Sequence, residues 1–67
     1  MKLHAYIYYD EDAQGLMWSV HHDDPKRDPE QPKRRTYKYP GWAECSLRKW
    51  AADNGHTLTA VHHEYGE

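Results

Sequence analysis

Residues 2–9 alternate without a break. Leu3, Ala5, Ile7 and Tyr9 fall on one face of an extended segment, and His4, Tyr6 and Tyr8 fall on the other. A period of two, rich in Tyr and Ile, specifies a half-buried strand. Residues 16–22 repeat the pattern, with Leu16, Trp18 and Val20 opposed to Met17, Ser19 and His21. The intervening stretch from Asp10 to Gly15 is polar, suiting a hairpin loop with Gly15 at positive φ. Both apolar sets must reach one core, so paired residue numbers must sum to an odd value. A sum near 25 sets Ile7 opposite Trp18 and Ala5 opposite Val20. It also sets Tyr8 by Met17, Tyr6 by Ser19 and His4 by His21. A slip of one residue would turn every apolar side chain to the wrong face.

Beyond the hairpin, residues 23–33 read as a charged loop interrupted by Pro25, Pro29 and Pro32. Arg34 to Tyr39 suggests a short third strand. Pro40-Gly41 ends it, and Trp42 is expected to open a helix. Ala43, Leu47, Trp50, Ala51 and Asn54 then share one helical stripe. Asn54-Gly55 is a stop signal with Gly55 in the left-handed position, and residues 57–63 alternate again as a final strand. The expectation is one α+β domain spanning residues 1–67 in the order β-β-(β)-α-β. Its single helix packs on one face of a three- or four-stranded, largely antiparallel sheet. Ile7, Trp18, Val20, Leu47 and Trp50 are the expected core.

Sixty-seven residues bury a limited core, and Cys45, the lone cysteine, excludes an internal disulfide. Three Trp and six Tyr with no Phe must supply most of the apolar area. The unpaired thiol suits a reducing compartment, and neither a signal-peptide pattern nor a membrane-length apolar run is present. A cytoplasmic location without membrane contact is the expectation. Net charge is −2, but residues 25–39 carry +4 between flanks of −4 and −2. A basic loop between acidic flanks is a local patch, which weakens a nucleic-acid reading without removing it.

Asp10, Asp12, Gln14 and Gly15 fit the opening of a calcium loop. His21 occupies the position of the closing Glu, so an acidic turn is the better reading. Of six histidines, His4, His21 and one member of the pair His62-His63 could gather on one sheet face. Imidazole is both the neutral-pH switch and a common metal ligand. Their spacing matches no zinc motif, so no metal or cofactor is assigned. Cys45 lies off the helical stripe, no phosphate-binding loop is present, and no catalytic set stands out; the reading is non-enzymatic.

What remains is a binding surface on the face away from the helix. Tyr6, Tyr8 and Met17 would form it, edged by His4 and His21, beside a basic loop carrying Lys33, Arg34 and Arg35. Tyr, Met and Arg are enriched at protein interfaces, so a protein partner, self-association included, is favoured. Stacking of unpaired bases on the tyrosines makes single-stranded nucleic acid the alternative. In size and layout the chain is similar to small accessory proteins of phages and mobile elements, anti-CRISPR inhibitors among them. That likeness implies action by covering a surface and carries over no residue.

Overall fold

The computed structural model describes residues 2–65. Strand β1 (Lys2–Asp10) turns into β2 (Gly15–His22); helix α1 (Pro40–Asp53) and strand β3 (Thr57–Glu64) follow. The hairpin register matches the alternation, with Ile7 opposite Trp18, Ala5 opposite Val20 and His4 opposite His21. Asp10 folds the loop back, its Oδ1 accepting from the N–H groups of Asp12 at 2.9 Å and Ala13 at 3.2 Å. The acidic tip is therefore a turn held by its own carboxylate.

Glycine plays a different part there than expected. Gln14, and not Gly15, adopts the left-handed conformation, at φ 56°. Gly15 is instead required for space: a Cβ at that position would lie 2.5 Å from the Cβ of Thr36.

The sheet order is β2-β1-β3, antiparallel between β1 and β2 and parallel between β1 and β3. The sheet is thus α+β and three-stranded, but mixed. The reason is a count of passes along the sheet axis. Residues 30–37 run back antiparallel to β2, touching it at two isolated bridges, Val20 with Glu30 and Leu16 with Tyr37. This return pass delivers the helix to the end where β1 finishes. The helix then descends, and β3 must ascend beside β1. The third strand expected over residues 34–39 survives only as the Tyr37 rung. A bulge at Thr59, whose hydroxyl donates to the Leu3 carbonyl at 3.1 Å, adjusts the β1–β3 register.

Helix α1 begins two residues earlier than its sequence signals suggest, with Pro40 at the first helical position, where a missing N–H costs nothing. Its end is a Schellman cap. His56 donates its N–H to the Ala51 carbonyl at 2.8 Å and Gly55 to that of Ala52 at 3.2 Å, with Gly55 at φ +70°. The His56 ring packs 5.0 Å from that of Trp50, closing the cap. The buried core joins Leu3, Ala5, Ile7, Trp18 and Val20 of the sheet to Ala43 and Leu47 of the helix. Trp50 packs 5.6 Å from Trp18 but stays half-buried.

Candidate functional site

The face away from the helix carries the side chains that the alternation placed there. Their surroundings differ from a bare aromatic surface. Tyr6 sits centrally, stacked on His62 of β3 at 4.7 Å and edge-on to His21 of β2 at 4.6 Å. His4 lies 6.4 Å from His62 and donates from Nε2 to Asp23 Oδ1 at 2.6 Å. His21 Nε2 is 3.3 Å from Ser19 Oγ. His62, and not His63, joins this face, since β3 pairs Tyr6 with His62 and Ile7 with His63. The imidazoles form a ladder across three strands. Among the described residues, no three His, Cys, Asp or Glu side chains converge closely enough to hold a metal ion.

Met17 departs from its expected role. It lies on the open face opposite Tyr8, yet only 8% of it is exposed. The cause is the Pro-rich loop, which reaches past the β2 edge so that the Gln31 amide bonds the Tyr8 hydroxyl across the Met17 position. Met17 is therefore buried beneath the loop and offers little contact surface. Tyr8 is partly withdrawn with it. Burial raises its phenol above the ordinary pKa of 10.0, the nearby Asp10 carboxylate adds to the rise, and the Gln31 bond opposes it. The unfolded chain therefore releases this proton first as pH climbs. The stability tied to neutral Tyr8 is intact below about pH 10 and is lost as pH passes through its folded value. In an alkaline titration followed by tyrosinate absorbance, with Tyr8→Phe identifying its contribution, Gln31→Ala should shift the Tyr8 phenol further upward. An unchanged curve would remove Tyr8 from this contact.

The loop is clasped at both ends. His22 donates from Nε2 to Glu30 Oε1 at 3.0 Å, Arg27 lies 3.5 Å from the same oxygen, and the Glu30 backbone bonds Val20 in both directions. Lys33, Arg34 and Arg35 all lie exposed on the bulge between the two bridges. None of the three is among the contacts of Tyr6, whose ring partners are His21 and His62. Arg35 instead turns toward the opposite side, 5.4 Å above the Tyr37 ring, whose hydroxyl meets Ser46 Oγ on the helix at 2.7 Å.

There a second site opens at the end of the sheet. An open cleft of about 620 Å³ is walled by Tyr9, Leu16, Tyr37, Trp42 and Tyr65, with Arg35 and Lys38 at its margin. Tyr65 donates its hydroxyl to His63 Nδ1 at 2.9 Å, and His63 Nε2 faces Glu44 Oε1 at 3.4 Å. Tyr39 packs edge-on against Trp42 at 4.8 Å, with the Lys38 ammonium 5.7 Å above the Tyr39 ring. The exposed large hydrophobic side chains among the described residues are Tyr9, Tyr39 and Trp42, at 51%, 48% and 60%. All three gather at this end.

Tyr9 has core parity but sits on the last rungs of β1, so it emerges into the cleft and is not a core residue. Trp42 gave a usable signal: it lies off the Ala43–Leu47–Ala51 stripe, in the first turn of the helix. Cys45 is exposed on the same helix. No helix among the described residues is long and apolar enough to cross a membrane. No family model matches the chain, and no curated protein or solved structure is recognisably similar to it.

Proposed function

We propose that this chain is a non-enzymatic binding module that docks a protein partner through the aromatic end formed by Tyr9, Tyr39 and Trp42. The observation that carries the reading is the gathering of all three exposed large rings beside Arg35 and Lys38. Neither cation has a carboxylate within ion-pair reach among the described residues. Solvent-exposed apolar patches of this kind mark interaction surfaces, and Trp, Tyr and Arg dominate interface hot spots. The histidine-laddered sheet face is a secondary surface, because its rings already stack on one another. An open cleft and a flat face offer contact without a closed reaction chamber. That suits an accessory or inhibitory protein that acts in the cytoplasm by covering part of its target.

Single-stranded nucleic acid remains the second reading, favoured by cations lying over aromatic rings. The carboxylates of Asp10, Glu11 and Asp12 sit on the hairpin tip that leads into Gln14 and Gly15, which line the cleft. They oppose a polyanion. The test is capture from a cell extract by immobilised wild type and by Trp42→Ala, with and without nuclease. A captured protein should resist nuclease and bind the variant about 30-fold more weakly, the ~2 kcal/mol of a hot-spot residue. Equal capture by both forms would overturn the assignment of the aromatic end. Sub-micromolar binding of random single strands, with log K falling by roughly 0.7 per phosphate neutralised, would replace it with the nucleic-acid reading.

A further inference from the structure

The two edges of the sheet are treated differently. Along β2 the return pass supplies backbone partners at Leu16 and Val20, and the clasped loop shields the rest. Along β3, nothing among the described residues pairs with the outer edge. Bare edges are normally blunted with Lys, Arg or Pro, and residues 57–63, Thr-Leu-Thr-Ala-Val-His-His, contain none of these. With its histidines neutral, the one formal charge of β3 is Glu64 at its C-terminal end. The core is also incomplete on this side. Leu3, Ala5, Ile7, Trp18 and Val20 are fully buried, whereas Leu58, Val61 and Tyr65 are only partly covered.

We infer that the β3 edge pairs with the β3 edge of a second copy of this chain, antiparallel and about a two-fold axis, making one continuous six-stranded sheet. A second copy is the occupant that fits best. Antiparallel pairing centred on Val61 sets the single edge charge, Glu64, opposite residue 58 and away from its own copy, and a two-fold pairing closes on itself instead of growing into a fibre. Faces match when paired numbers between 60 and 64 share parity. A pairing centred on Val61 sets that residue against its own copy on the helix side, where β-branched neighbours pack well. It brings the half-covered Leu58 and Tyr65 of both copies toward the seam. Such pairing also extends the core of a chain too short to build a large one alone. It leaves Tyr39 and Trp42 free for a different partner, although Tyr65, which walls the same cleft, lies toward the seam.

The test joins sedimentation velocity over a concentration series with hydrogen exchange of β3 amides, on wild type and on His62→Lys. His62 is exposed, and the lysine places a fixed charge on the edge; circular dichroism and thermal melting report whether the variant stays folded. The expected result is a species of twice the chain mass that falls to one chain on dilution. The β3 amides facing away from β1 should be slowed only at concentrations where that species exists. In folded His62→Lys, both the double mass and the protection should be lost. A wild type that stays monomeric to millimolar concentration, with those amides exchanging freely, overturns the inference. So does a dimer that forms without protecting them, or one that persists unchanged in His62→Lys. If His62→Lys does not fold, the concentration dependence of wild-type β3 protection decides alone.

Discussion

Trp18→Ala should remove much or all of the stability of the chain. Trp18 is fully buried, opposite Ile7 in the hairpin register and 5.6 Å from Trp50. It is the largest fully buried side chain. Truncating a buried Trp costs about 3–5 kcal/mol through lost transfer energy and the cavity left behind. At roughly 0.05–0.15 kcal/mol per residue, a chain of 67 residues holds about 3–10 kcal/mol in total, so the loss consumes much or all of it. Trp18→Phe should be far milder. The buried Nε1 has no hydrogen-bond partner among the described residues, so phenylalanine removes no bond there and costs only volume. Urea denaturation of the two variants decides the matter. A Trp18→Ala protein that unfolds at nearly the parental midpoint would mean that the helix does not cover this face. Trp50, half-buried, should cost less than Trp18 when truncated.

The second large effect is expected from the smallest change. Gly15→Ala adds one methyl group that would lie 2.5 Å from Thr36 Cβ and 2.9 Å from its Cγ2. These atoms sit close to the backbone and not at the end of a flexible side chain, so the return pass itself must retreat. That retreat strains the paired bonds between Leu16 and Tyr37, at 3.1 and 2.8 Å, and opens one wall of the aromatic cleft. Forced overpacking of this kind costs typically about 1–3 kcal/mol. Partner binding at the aromatic end should weaken along with stability. Thr36→Gly in the same chain should restore most of both, since it removes the atoms that collide. Denaturation of the single and double variants measures the coupling. If the two substitutions act additively, Gly15 is not needed for the approach of Thr36.

Much of this architecture was legible because some rules act at short range. The hairpin register follows from parity, since only an odd sum lets Leu3, Ala5 and Ile7 share a face with Trp18 and Val20. Asn54-Gly55 announced its cap because the left-handed position after a helix selects glycine. The direction of β3 was harder to read. It depends on whether residues 30–37 count as a pass along the sheet, and two backbone rungs with Pro32 and a run of charges between them leave no alternation to detect.

Met17 was misplaced for a similar reason. Its parity is right, but the loop that covers it is brought there by Gln31 and the Glu30 clasp, contacts that no local pattern encodes. Gly15 looked like a turn residue, and its real constraint comes from Thr36, twenty-one positions later. Of the candidate site, Tyr6, His4 and His21 were found together as expected. Arg35 belongs to the cleft at the end of the sheet, Lys33 and Arg34 make no contact with Tyr6, and the aromatic end emerged only when β1, the return pass and the first helical turn were brought side by side.

The central position of β1 also governs how the molecule can assemble in time. Its bonds to β2 close over a short loop and can form as soon as the hairpin exists. Its bonds to β3 join segments more than fifty residues apart, as in the contact from Thr59 to Leu3 with a separation of 56. Closing so long a span carries an entropic cost that only the finished helix and its buried stripe can offset. Until then the middle strand is itself an open edge. The last segment to dock is therefore the one that turns a hairpin into a sheet, and the slowest step of folding falls on the strand with the bare outer rim.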